Sequence, residues 1–128
     1  MKDYIAKSIS YERYRQMIDE YLQNGMTSGD IQNEKMTQYT QMNVRRMKRL
    51  DKKTEIVPEI ENYIKSIDRK MIWLTLTEAW CGDAAQIVPV IEKIASLNPN
   101  IESRYIWRDE NLDLMDQYLT DGGRGIPT

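Results

Sequence analysis

An α/β domain behind a helical N-terminal stretch is what this sequence predicts, on three observations. Met71 to Thr77 is an apolar, partly β-branched run without strict alternation, the pattern of a strand covered on both faces. Asp83 to Leu97 places Ala84, Ile87, Val88, Ile91, Ile94 and Ala95 at helical spacing. Ile101 to Trp107 then reads as a second strand, and strand, helix, strand at this spacing implies a parallel pair joined by a right-handed crossover.

The elements ahead of that unit are helical. Tyr11, Tyr14, Met17, Ile18, Tyr21 and Leu22 recur on one helical face, with Ser10 as N-cap, Glu12 in the first turn and Gly25 as the stop. A second helix is expected to begin near Thr27, whose spacing to Asp30 resembles a capping box with a shorter acid, and to run to about Lys53. Its apolar stripe is sparse: Met36, Tyr39, Met47 and Leu50. Pro58 suits the first turn of a third helix that carries Ile60, Ile64 and Ile67. Asn98-Pro99-Asn100 closes the helix between the strands. After the second strand, Leu112, Met115 and Leu119 mark a last helix stopped by Gly122-Gly123.

Composition narrows the chemistry. The chain has 128 residues, 41% of them hydrophobic, enough for a single core, and a formal charge of −2 that gives no global reason to expect nucleic acid or an anionic membrane as partner. It contains no histidine and one cysteine. Cys–His and Ser–His catalysis, His-ligated metals, an intrachain disulfide and a zinc cluster are therefore excluded, and neither a metal nor a cofactor is expected. Met1 to Ser10 lacks the apolar stretch of a signal peptide, and no window approaches the ~20 apolar residues of a membrane span. A cytoplasmic location is the default expectation.

The cysteine occupies a chemical position. Trp80-Cys81-Gly82-Asp83-Ala84 joins the first strand to the following helix, so the orphan amides and positive dipole end of that helix favour a thiolate at Cys81, while the Asp83 carboxylate opposes it. Other clusters read more simply. Six bases and one acid in Arg45 to Lys53 fit a solvated helix C-terminus better than a nucleic-acid site, because the dipole favours cations there and Met47 and Leu50 look like core contacts. Asp109, Glu110, Asp113 and Asp116 suit the start of a helix and match no calcium loop. The eight tyrosines and three tryptophans are mainly core material. Trp80 is the exception, a ring beside the thiol expected to shape access to it.

Pro89, inside the helix after the thiol and expected to kink it, joins two further features: the Trp-Cys-Gly turn and the closing Arg124-Gly125-Ile126-Pro127-Thr128. Together these resemble the thioredoxin family over roughly residues 55 to 128. The resemblance implies a thioredoxin-like fold in which Cys81 stands at the attacking cysteine, Pro89 at the helix kink and Pro127 at the cis-proline, with Ile126 and Pro127 lining the substrate groove. It also implies a division into a helical N-terminal extension, 1-54, and a thioredoxin-like domain, 55-128. The family's fold continues past the cis-proline into a strand, a hairpin partner and a closing helix, which this sequence lacks after Thr128. A fragment of a longer product is the favoured reading of that difference. Completion by another subunit, as a homo-oligomer, and a reduced fold covered by the N-terminal helices are the alternatives.

Three departures shape the expected function. Ala84 stands where the family has its resolving cysteine, Thr75 where it usually has a buried acid, and Asp83 in place of the motif proline. A dithiol cycle cannot close within this chain. The expectation is a monothiol thiol–disulfide exchange at Cys81 with protein or glutathione disulfides as partners. The alternative is a thioredoxin-fold protein-binding module without catalysis.

Overall fold

Two parallel strands form the centre of the molecule, in a computed structural model that describes residues 1–128. The elements in chain order are α1 (Lys2–Lys7), α2 (Tyr11–Gln23), α3 (Glu34–Lys53), α4 (Pro58–Lys65), β1 (Met71–Thr77), α5 (Gly82–Ala95), β2 (Ile101–Trp107) and α6 (Leu112–Met115). β1 and β2 run parallel in a register that pairs Met71 with Ile101 and Thr77 with Trp107. The α/β class and the strand–helix–strand unit are as the sequence predicts.

Each outer edge of this short sheet is partly closed by a single residue. Ile9 exchanges two antiparallel hydrogen bonds of 2.8 Å with Tyr105 on the β2 side. On the β1 side the amide of Leu76 donates to the Thr128 carbonyl at 2.8 Å, and the Thr128 amide returns a bond of 3.3 Å to Leu76. Covering these otherwise unpaired backbone groups at one point on each side relieves part of the cost that two isolated strands would carry.

Alternation along the strands sorts the core onto two faces. Tyr105 and Trp107 face α2, α3 and α5, where Tyr14, Ile18, Val44, Met47, Ala84, Ala85 and Val88, with Ala79 from just after β1, complete the larger cluster. Tyr14 is its hub. Its ring lies 5.5 Å from that of Tyr105 and 5.1 Å from that of Trp107, and its hydroxyl meets Thr77 Oγ1 at 3.1 Å. Leu76 and Ile106 point to the opposite face and pack on Leu114 and Met115, flanked by Tyr4 and Ile126. The N-terminal helices are thus built into the same core as the strands.

Several boundaries differ from the sequence reading, each for a local reason. Ser10 caps α2 as expected, accepting from the Arg13 amide at 3.1 Å. The next helix begins at Glu34 rather than near Thr27, because Asn33 is its cap, accepting from Met36 N at 2.9 Å, while Thr27 and Ser28 are buried in a loop that turns through Gly29 at φ +86°. Thr27 spends its hydroxyl on Thr40 at 2.6 Å. A six-residue helix at Lys2–Lys7, not expected from the pattern, precedes Ile9. The last helix is a single turn, since tight bonds from Gln117 to Leu114 and from Tyr118 to Met115 end it before the Asp121-Gly122 turn. β1 is buried on both faces only over Thr75, Leu76 and Thr77, with Ile72 exposed.

Candidate functional site around Cys81

The end of β1 delivers the chain into the Trp80-Cys81-Gly82 turn under close restraint. Both backbone groups of Ala79 are held from outside the strand: its amide donates to Ser28 Oγ at 2.8 Å, and its carbonyl accepts from Asn43 Nδ2 at 3.0 Å. Ser28 belongs to the loop before α3 and Asn43 to α3, so the segment before the cysteine is clamped by residues from the helical region. The Ser28 hydroxyl in turn donates a hydrogen bond to Glu78 Oε1 at 2.6 Å.

Cys81 itself is the N-cap of α5. Its φ of −80° and ψ of 118° are non-helical, and its sulfur accepts from the Ala84 amide at 3.4 Å. This is the arrangement the sequence position implies, a sulfur at the amide end of a helix. On its other side the thiol donates to the Ile126 carbonyl at 3.6 Å, and Ile126 is joined to Pro127 by a cis peptide bond. The structure therefore brings the first and last pieces of the expected groove together. Two bonds from Arg124 to Asp116, at 2.8 and 3.1 Å, and one of 3.1 Å from Arg108 to the Arg124 carbonyl hold the final loop in place. Cys81, Trp80, Gly82, Ile126 and Pro127 are half-buried, Asp83 is exposed and Ala84 is fully buried.

Pro89 lies buried inside α5, which runs from Gly82 to Ala95 without a break. Thr75, which stands where the resemblance places a buried acid, is itself buried. Three of the four acids in the 109–116 segment are occupied structurally, Asp109 by Arg108 at 2.9 Å, Asp113 by the Tyr4 hydroxyl and Asp116 by Arg124, and Glu110 is exposed. No group of three ligating side chains converges anywhere in the molecule.

Two residues at the site were not anticipated. Glu78 is completely buried directly behind the turn, accepting from Ser28 and, at 3.0 Å, from the Asp109 amide. Burial pushes its carboxyl up to about 7, and the two hydrogen bonds it accepts hold it from rising further; the Asp109 carboxylate adds to the rise and the Arg108 guanidinium opposes it. An acid immediately after a buried strand is the sequence signal for such a group. Arg46 is the second. It stands with Met36, Tyr39, Met42 and Asn43 on one stripe of α3 and lines, with Trp80, Cys81, Gly82 and Asp83, a cavity of about 450 Å³. The three-and-four spacing of Met36, Tyr39, Asn43 and Arg46 marks that face in the sequence, although the basic run around Arg46 disguises it.

Gly29 is required by this packing. A Cβ there would sit 2.5 Å from Asp109 Oδ2, 3.0 Å from Glu78 Oε1 and 3.2 Å from Trp80 Nε1, at a φ that side chains rarely adopt. Opposite it, the Arg108 guanidinium lies 5.0 Å over the Trp80 ring.

The Glu78 carboxyl gives stability a pH dependence. Its folded value lies above the ordinary 4.5, so the folded state binds more protons between about 4.5 and 7, and stability falls as pH rises through that window. The full effect is roughly 3 kcal/mol, at about 1.4 kcal/mol per unit. Urea denaturation at pH 5 and pH 8 is expected to show the wild type losing stability relative to Glu78→Gln, which lacks the titration. Parallel curves for the two proteins would mean that the carboxyl is not held in this environment.

Comparison with known proteins agrees with this architecture. A family model described as thioredoxin matches residues 29–128, beginning inside the helical region and including all of α3. Two solved structures align with the chain at 18% identity: a protein of unknown function from Pseudomonas aeruginosa, with a TM-score of 0.52, and an HIV epitope-scaffold, with a TM-score of 0.51. In both cases 85% of this chain is covered but only 61% of the other, so the chain spans about three fifths of the length of these structures. No curated protein matches it.

Proposed function

Because this chain belongs to the thioredoxin family, we propose that it carries out thiol–disulfide exchange by a monothiol route at Cys81. The observation that supports this reading most is the setting of the sulfur, half-buried at the N-terminus of α5 between the Ala84 amide and the carbonyl of Ile126. In the forward step the Cys81 thiolate attacks one sulfur of a disulfide. A bond forms between Cys81 Sγ and that sulfur, the original S–S bond breaks, and the other sulfur leaves as a thiolate that takes up a proton from solvent. Since Ala84 offers no second sulfur, an external thiol attacks the mixed disulfide and frees Cys81. The exchange conserves electrons, so no cofactor enters.

The substrates proposed are protein or glutathione disulfides, met at the groove formed by Trp80, Ile126 and Pro127. No helix is long and apolar enough to cross a membrane. A cytoplasmic setting, where a thiol pool supplies the resolving step, fits the scheme. The test is turnover of a glutathione–peptide mixed disulfide with reduced glutathione as the second thiol. Wild type is expected to release peptide with multiple turnovers and Cys81→Ser to release none. Equal, background-level release by both proteins would reject exchange, and partner binding that survives Cys81→Ser would favour a binding module on the same fold.

A further inference from the structure

The cavity beside the thiol has a composition that the strand–helix–strand unit alone does not supply. Helix α3 forms one wall with Met36, Tyr39 and Met42, and Trp80 contributes from the turn. One guanidinium reaches into this apolar surround: Arg46 Nη1 lies 3.3 Å from where a Gly82 Cβ would be, one residue from the sulfur-bearing Cys81. Its single hydrogen bond is a long one, 3.3 Å, to Asn43 Oδ1. Asn43 is buried and anchored to Ala79, so Arg46 is steadied over the turn without being neutralised. None of the six ion pairs in the molecule involves it, although Asp83 lines the same cavity; Arg45, Arg49 and Arg69 are unpaired too but exposed, whereas Arg46 is half-buried.

A half-buried cation with unspent donors, beside a nucleophile and apolar walls, selects for an anion placed next to an apolar group. We infer that Arg46 is a specificity-determining residue of this cavity and that the substrate class it favours is a disulfide of small-molecule size carrying a carboxylate close to the sulfur. The volume of about 450 Å³ is that of a small-ligand site. The carboxylate pairs with the Arg46 fork, and the apolar portion lies against Tyr39, Met36 and Trp80. Attack by Cys81 then proceeds as written above, with the distal sulfur leaving as a thiolate. This inference rests on the exchange reading, and it adds the substrate's charge.

Stopped-flow rates with two aromatic disulfides test it. Dithiobis(nitrobenzoate) carries a carboxylate on each ring, and dipyridyl disulfide is neutral. The ratio of their rate constants is expected to fall about fivefold in Arg46→Ala, and further in Arg46→Glu, with Arg46→Lys retaining most of it. Added salt is expected to lower the wild-type ratio and leave the Arg46→Ala ratio nearly unchanged. The dipyridyl rate serves as the control for folding and for the thiol itself. An unchanged ratio, or equal loss of both rates in Arg46→Ala, overturns the assignment. If neither disulfide reacts with the wild type, it is the exchange reading that fails. The anion claim is then decided by titrating the wild type with nitrobenzoate and following the Gly82 amide by NMR: a shift that disappears in Arg46→Ala upholds it, and no shift ends it.

Discussion

Ala84→Cys is expected to convert the chain from a one-sulfur to a two-sulfur reagent. Ala84 lies one helical turn after Cys81, and its amide is already the hydrogen-bond donor to Sγ at 3.4 Å. A thiol on its Cβ can therefore approach the distances a disulfide needs. The variant is expected to oxidise to a form without an alkylatable thiol and to reduce insulin at about ten times the background rate or more, where the wild type stays at background. Ala84 is fully buried among Ala79, Val88 and Trp107, so the added sulfur carries a packing cost of about 1–3 kcal/mol. Alkylation mass spectrometry of the oxidised and reduced variant checks the first point and insulin turbidity the second. A variant that folds but keeps a free thiol under oxidant would show that the start of α5 departs from the geometry described.

Tyr14→Ala is expected to be the most destabilising single change in the helical region, by roughly 3–5 kcal/mol. The ring is 1% exposed and packs between Tyr11, Tyr105 and Trp107, so truncation opens a cavity that joins α2 to the sheet. Against a typical domain stability of 5–15 kcal/mol, a loss of about this size leaves a markedly weakened fold. Tyr14→Phe removes only the hydroxyl contact with Thr77 and is expected to cost about 1 kcal/mol. Chemical denaturation of both variants measures the difference. A small effect from Tyr14→Ala would mean that α2 is an appendage to the strands, contrary to the shared core.

Where the sequence was legible, single physical rules decided the outcome. Ser10 as a cap, Pro58 at a helix start, the β1–α5–β2 unit and the position of Cys81 each follow from local pattern, and each is found. The Ile126-Pro127 approach to Cys81 followed from family resemblance, since no periodicity joins residues 45 positions apart. What escaped was decided by tertiary contact. Thr27 and Asp30 mimic a helix start, yet the buried Thr27 hydroxyl finds Thr40 and the loop is drawn inward to Glu78. Glu78 has no partner near it in sequence that marks it, and it is Ser28 and the Asp109 amide that enclose it. Arg46 was one base in a run of six, and only the docking of α3 beside Gly82 separates it from its neighbours.

The same docking links the helices to the chemistry. Ser28 and Asn43 hold Ala79, and Gly29 leaves room for Glu78, Trp80 and Asp109 to close behind the turn. Gly29→Ala is accordingly expected to lower both stability and the exchange rate, since the added methyl must displace Asp109 or Trp80.

Intact-mass spectrometry after mixing the reduced protein with oxidised glutathione probes the reactive sulfur most directly. The proposal requires one glutathione adduct, mapped by peptide analysis to Cys81, that persists once the released glutathione thiol is removed by desalting and disappears when an external thiol is added. A protein that remains unmodified while its thiol is shown to be reduced, or an adduct that decays with no second thiol present, would contradict monothiol exchange at this site.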